Sequence, residues 1–342
     1  MDLMRAVVMR DRKLVVAEVP VPEPGPGEVL VRTLACGICG SDLHALKHAE
    51  KFVETARRAG NPWVMDLRRD VVMGHEFCAE IVEHGPGTAR TLPAGTRVCS
   101  RPTLVRETGP QSVGYSNDNP GGYGQFMRLS ESLLLAVPNG LPTDQAALTE
   151  PMAVGVHAVQ KARLSPDDVP LVIGCGPVGL AVIAALRLTN AGPIVAADFS
   201  ARRRELALAL GADVVIDPAK TTVWDQRPKG RSPVVFECVG VPGVLDQVMA
   251  AAPRGTRIVV VGVCMEPDTI HPLLGIVKEL HFQFVLGYTP DEFAATLTHI
   301  AEGEIPTAPL ITGHVGLDGV AGAFEELGSP ERHAKILVHP GR

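Results

Sequence analysis

At 342 residues the chain exceeds what one compact hydrophobic core usually organises, so two domains are expected. Its 46% apolar and 20% charged residues, without repeats, describe a folded globular protein rather than a disordered one. A net charge of -6 with no basic stripe argues against nucleic acid as a partner. The first ten residues lack a signal-peptide core, and no stretch reaches about 18 uninterrupted apolar residues, so a membrane role is excluded and a cytoplasmic setting expected. Cys36, Cys39, Cys78, Cys99, Cys175, Cys238 and Cys264 are odd in number and widely spread, which points to reduced thiols or metal ligation rather than a disulfide framework.

From residue 5 to about 138 the chain shows short β-rich runs, at 6–9, 29–34 and 80–83. Turn clusters such as 22–27 and 120–122 break them, so an irregular β domain is predicted. After Glu150 the pattern alternates. Strands are predicted at 171–174, 194–198, 214–217, 234–237, 257–262 and 282–286, with helices over 178–189 and 202–210. This is an α/β doubly wound parallel sheet. A helix and closing strands follow, the last (336–339) read as an edge strand. The expected organisation is therefore a β domain from 1–151 and 289–342, a cofactor domain from 152–288, and a ligand cleft between them.

The first chemical motif is Gly174-Cys175-Gly176-Pro177-Val178-Gly179, placed between an apolar strand and a helix. Gly174 permits the turn, Gly176 lets the backbone approach a pyrophosphate, and Gly179 lets the helix lie close to the sheet, with its N-terminus facing the phosphates. Asp198 ends the next strand about 20 residues on, where its carboxylate accepts hydrogen bonds from an adenosine ribose. That favours NAD over NADP. Arg202 and Arg203 are the side chains a 2′-phosphate would recruit; both read as a solvated helix face, with Arg203 kept among the cofactor residues.

A second constellation lies in the β domain. Cys39, His75 and the carboxylates Glu76 and Glu150 offer thiolate, imidazole and carboxylate from distant segments. Three protein ligands leave an open coordination position, which is the pattern of a catalytic rather than a structural zinc.

Residues 36–44, Gly74-His75-Glu76, Gly121-Gly122-Tyr123, Glu150-Pro151 and the glycine fingerprint stand in an order that resembles the zinc-containing medium-chain alcohol dehydrogenases, nearest the bacterial branch with polyol and butanediol dehydrogenases. The resemblance implies a GroES-like β domain joined to a Rossmann domain. It makes Cys39 and His75 zinc ligands, puts Glu150 in the third ligand's position and lets Glu76 ligate or exchange with it. Cys36 is not in a ligand position. Relatives often hold a structural zinc on four close cysteines, whereas residues 97–127 contain only Cys99, so one catalytic zinc per chain is expected. The implied reaction passes hydride from an alcohol to NAD. Zinc supplies the Lewis acid; Ser41 and His44 carry the proton outward, and Asp42 orients His75. A zinc-free quinone reductase and a non-enzymatic NAD-binding protein are the rival readings, and the ligand set and relay residues count against them.

Substrate choice is expected to lie in residues 45–73, a longer stretch than the resemblance leads one to expect. Leu46, Ala49, Phe52, Val53 and Ala56 recur at helical spacing, predicting an amphipathic helix that ends near Gly60 and Pro62. Phe52, Trp63 and Tyr288 are the candidate pocket walls. Gly287 stands where similar polyol dehydrogenases tend to carry an arginine, so a secondary, fairly apolar alcohol is expected, with a polyol or sugar as the alternative. Apolar strands towards one sheet edge predict a homodimer or homotetramer.

Overall fold

The computed structural model describes residues 2–61, 64–329 and 331–342. The chain divides into two compact units, Met1–Glu150 with Ile311–Ser329 and Lys335–Arg342, and Pro151–Leu310 with Pro330–Ala334. No helix among the described residues is long and apolar enough to cross a membrane.

The first unit begins with an antiparallel hairpin of β1 (Leu3–Arg10) and β2 (Lys13–Pro20). Then come β3 (Glu28–Gly37), α1 (Gly40–Lys47), α2 (Ala49–Arg58), β4 (Glu76–His84) and β5 (Arg97–Ser100). A second hairpin, β6 (Thr103–Arg106) with β7 (Gly109–Ser112), precedes β8 (Phe126–Ser130), β9 (Leu134–Ala136) and the short α3 (Thr143–Ala146). α4 (Thr149–Ala162) leads into the second unit, which alternates β10 (Asp168–Ile173), α5 (Pro177–Leu186), β11 (Val195–Ala197), α6 (Ala201–Ala209) and β12 (Val214–Ile216). It continues with β13 (Ser232–Glu237), α7 (Val244–Ala251), β14 (Arg257–Val260), α8 (Pro272–Lys278), β15 (His281–Phe284) and α9 (Pro290–Ala301). β16 (Ile311–Val315), α10 (Val320–Leu327) and β17 (Lys335–Val338) complete the first unit.

The second unit's sheet runs β12-β11-β10-β13-β14-β15, parallel throughout, the order of a doubly wound dinucleotide fold. Val169, Leu171, Val195, Val235 and Ile258 form its core, and α5 is apolar and buried from Gly179 to Leu186, as a helix packed on the middle of a sheet must be. The first unit's main sheet runs β16-β17-β3-β4-β5-β9, with β8 also on β3. Its core gathers Val29, Val31, Phe77, Ile81, Met127 and Ile336.

Two expectations need correction. The chain returns to the first unit at Ile311, not at 289. α9 stays with the second unit because Phe293, Leu297 and Ile300 are buried there and Glu292 meets His157 of α4 at 2.8 Å. The last strand, β17, is not an edge: it lies between β16 and β3 with all four residues buried. Its sequence, Lys-Ile-Leu-Val, has no alternating polar face to leave in water.

Candidate active site

Two segments converge in the first unit. Cys39 precedes α1, and His75 and Glu76 open β4, so the turn after β3 and the start of its neighbour carry the donors. Cys39, His75 and Glu76 bring one ligand atom each within 4.8 Å of one another. Glu76 fits because β3 ends in Gly37 directly opposite it: a Cβ on Gly37 would lie 2.1 Å from Glu76 Oε2. Glycine is the residue that leaves this space.

Asp42, in the first turn of α1, is fully buried and organises the surroundings. Its Oδ2 accepts the Cys39 amide at 3.1 Å and the Tyr123 hydroxyl at 2.6 Å; its Oδ1 accepts the Tyr115 hydroxyl at 2.7 Å. His75 Nδ1 lies 3.4 Å from Asp42 Oδ1, a charge contact too poorly aligned to count as a hydrogen bond, and Nδ1 has no other partner. Burial pushes the Asp42 carboxyl up, but the His75 charge and the hydrogen bonds outweigh it and hold it below the usual range. Burial likewise opposes charge on His75, yet Asp42 and Cys39 lift its pKa well above ordinary imidazole. The place therefore favours positive charge. With a soft thiolate, an imidazole and a carboxylate at hand, the donor set fits a zinc ion.

Glu76 is already engaged. Buried Lys335 donates to its Oε1 at 2.8 Å and Oε2 at 2.7 Å, and to the Ile38 carbonyl at 3.0 Å. Desolvation works against the Lys335 charge, but Glu76, Cys39 and Glu150 together keep its pKa raised. Glu150 thus lies close to this centre, outside the group formed by Cys39, His75 and Glu76. Ser41 and His44 both lie on α1. The Ser41 hydroxyl is 2.9 Å from that of Tyr115, which ties it into the Asp42 network. Burial, and the charges of His48 and Lys47, hold His44 below the ordinary imidazole range.

Phe52 projects from α2 onto Tyr115, ring centroids 5.1 Å apart, and Tyr115 lies 5.2 Å from the His75 ring. An aromatic wall therefore runs from the predicted helix to His75. Tyr288 belongs to the second unit and stacks on Phe293 at 5.2 Å. Trp63 lies outside the described residues.

In the second unit, Gly174 adopts φ +91°, a conformation that strains any other residue, and a Cβ on Gly179 would meet the Gly174 carbonyl oxygen at 1.8 Å. Gly176 caps α5, with Pro177 and Val178 opening the helix, and among the described residues no side chain makes a capping hydrogen bond there. A Cβ on Gly176 would meet nothing nearer than Arg203 Nη1 at 3.9 Å. Open backbone donors at a helix start fit a pyrophosphate. Asp198 Oδ2 accepts the Cys175 amide and Oδ1 the Ser200 amide, both at 2.8 Å. Arg202 behaves as read, exposed and paired with Glu205. Arg203 does not lie on a solvated face: Nη1 is 3.9 Å from Asp198 Oδ2, and its buried Nε has no partner. A one-turn helix start next to a strand end folds this side chain back over the glycine loop.

Lys335 and Tyr115 escaped the sequence reading, and Tyr123 was noted only as part of a motif. An inward-facing lysine beside Ile-Leu-Val was the one available signal.

The comparisons agree with this geometry. Residues 25–139 match the alcohol dehydrogenase GroES-like domain and residues 177–302 the zinc-binding dehydrogenase domain. The (R,R)-butanediol dehydrogenase of Bacillus subtilis (strain 168) is 34% identical over 93% of this chain and 94% of its own length. The sorbitol dehydrogenase of Gallus gallus is 30% identical over 93% and 91%. The crystal structure of 2R,3R-butanediol dehydrogenase from Bacillus subtilis superposes with a TM-score of 0.83 at 30% identity, covering 98% of this chain and 99% of that one. The chain belongs to the zinc-containing medium-chain dehydrogenase/reductase family and carries both of its domains.

Proposed function

We propose that the protein oxidises a secondary alcohol to a ketone with NAD, using one zinc held by Cys39, His75 and a carboxylate, Glu76 or Glu150. The observation that carries this is that Cys39, His75 and Glu76 each bring a ligand atom within 4.8 Å of the others, beside buried Asp42. Lys335 balances the Glu76 charge, and Glu150 can exchange with Glu76 at the ion. Zinc, when bound, supplies a Lewis acid that makes the substrate hydroxyl easier to deprotonate. The Asp42 charge, 3.4 Å from His75 Nδ1, biases the orientation of that ring. Ser41 takes the substrate proton, and His44, kept neutral at neutral pH, accepts it for release to solvent. The glycine loop and Asp198 hold NAD. Cys99, buried and donating to the Ala146 carbonyl at 3.2 Å, is the lone cysteine of residues 97–127, which supports the absence of a cysteine-held structural zinc. Free thiols throughout suit a reducing cytoplasm.

The Phe52–Tyr115 wall supports a fairly apolar substrate, because a polyol would leave hydroxyls unpaired against it. Gly287 offers no hydrogen-bond donor. A polyol is the second reading, favoured by the sorbitol dehydrogenases among the relatives. The experiment compares kcat/KM for aryl and alkyl secondary alcohols, 2R,3R-butanediol and sorbitol, in the intact enzyme and in Phe52→Ala. The expected result is preference for the less hydroxylated alcohols and a roughly tenfold loss on them in Phe52→Ala. Faster sorbitol turnover, unaffected by the substitution, favours the polyol reading. Cys39→Ala should lose tightly held zinc and turnover together; retention of both overturns the ligand assignment.

A further inference from the structure

A second cluster of metal-binding side chains lies elsewhere in the first unit. His314 stands on β16, His339 follows β17, and Asp144 lies in α3, none within the glycine loop or the Cys39 group. His314 Nδ1 and His339 Nε2 are 3.0 Å apart. Asp144 completes a triangle, with Oδ2 at 3.6 Å from His314 Nδ1 and Oδ1 at 3.7 Å from His339 Nε2. Zn–N bonds of about 2.0–2.1 Å in a tetrahedron separate neighbouring ligand atoms by about 3.3 Å, which these three edges bracket. One Asp144 oxygen and the two ring nitrogens lie within 4.8 Å of one another, so a small turn of the carboxylate completes a metal face.

The lone pairs are also prepared. His339 Nδ1 lies 3.1 Å from the Leu34 carbonyl oxygen, which can only accept, so Nδ1 carries the ring proton and Nε2 presents a lone pair. β17 makes this possible: its last residue, Val338, pairs with Cys36, which brings the next residue beside the Leu34 end of β3. Burial holds the His339 pKa down and outweighs the pull of Asp144, so the ring is neutral at neutral pH. His339 is well sheltered, while Asp144 is about one-third and His314 about two-fifths exposed, which leaves a solvent path for an ion and a water ligand.

We propose that Asp144, His314 and His339 form a second divalent-metal site, for zinc or another borderline transition-metal ion, that pins the C-terminal segment after β17 to β16 and α3. Without the ion, the proton of His314 Nδ1 bridges the two rings at 3.0 Å; on binding, His314 shifts that proton to its own Nε2, and the shared hydrogen gives way to a shared cation. The site is independent of the Cys39 centre. It also differs from the cysteine-held structural zinc, since no thiol takes part.

The test uses holoenzyme carrying its catalytic zinc, equilibrated by dialysis against buffered free zinc and analysed for metal. About two zincs per chain are expected in the intact protein, and about one in His314→Ala and Asp144→Asn, with catalytic zinc and secondary structure unchanged. A second measurement needs no variant. Copper(II) added to holoenzyme should give an electron paramagnetic resonance spectrum with coupling to two nitrogens. One zinc per chain under saturating conditions, a second zinc that persists in both variants, or a copper spectrum with oxygen ligands alone overturns the proposal. Loss of turnover with the second zinc intact would instead count against the Cys39 reading.

Discussion

On the proposed reading, single atoms govern cofactor choice and metal hold. Asp198 uses both carboxylate oxygens on backbone amides of the glycine loop and the α6 cap, and its charge would oppose a 2′-phosphate. Arg203 lies 3.9 Å away with a free buried Nε. Asp198→Ser should therefore cut the kcat/KM ratio of NAD to NADP by roughly tenfold or more, as the repulsion disappears and Arg203 turns to the phosphate. A higher kcat/KM with NADP in the unmodified enzyme contradicts the assignment. Lys335 gives a second case. Its ammonium neutralises buried Glu76, and Lys335→Met should cost about 3–5 kcal/mol of stability because the carboxylate is left unpaired. Glu76→Gln in that background should recover much of the loss, measured by denaturant unfolding; no recovery removes the ion pair as the cause. The grouping of Cys39 with His75 was legible because each belongs to a short contiguous motif. Lys335 was not, since strand pairing brings it to Glu76 from 259 residues away, and Tyr115 reaches Ser41 across 74.

At the level of elements, periodicity served well wherever one face meets a core. The helix expected in residues 45–73 forms as α2 from Ala49 to Arg58, with Ala49 and Val53 inward, while Leu46, read as part of it, belongs to α1 and the two helices break at His48. Strands of the parallel sheet were visible as apolar runs. β17 was misplaced because an apolar tetrapeptide looks alike in the middle of a sheet and at its rim. The joints between elements are less visible still. Asp168, at the start of β10, accepts the Ser165 amide at 2.6 Å and lies 2.5 Å from Arg257 Nη2 on β14. Burial raises its pKa, but Arg257 and Ser165 prevail and hold it below the ordinary carboxylate value. A depressed folded-state pKa contributes stability above the unfolded value, about 3.9, and that stability is lost as pH falls through the folded value. Asp168→Asn should thus be less stable than the intact protein at pH 7, by about 1–3 kcal/mol. The gap should close below about pH 4 in urea unfolding. A difference that stays constant with pH would mean packing, not charge, is at work.

For the whole molecule, the open question is what covers the β15 side of the parallel sheet. Among the described residues β15 pairs with β14 alone, so its other backbone edge has no strand partner there. Phe284 is 66% exposed and Leu286 88%, and on α8 Leu273, Ile276 and Val277 are each more than three-fifths exposed. Scattered exposed apolar residues are ordinary, but an apolar strand edge flanked by an apolar helix is a template for association. A second copy of the chain satisfies both needs at once: a two-fold axis lets the same edge meet itself, extends the sheet and buries the two α8 faces together. At about 25 cal/mol per Å², that burial is worth several kcal/mol, ample to offset the entropy of association at micromolar concentration only if the strand amides also pair. The prediction is a homodimer, or a tetramer built from it, by light scattering. Leu286→Asp with Ile276→Asp should shift it to monomers while leaving each chain folded, because neither side chain is part of a core. A monomeric intact protein at micromolar concentration, or a double variant that assembles as before, would show that this edge is not the contact.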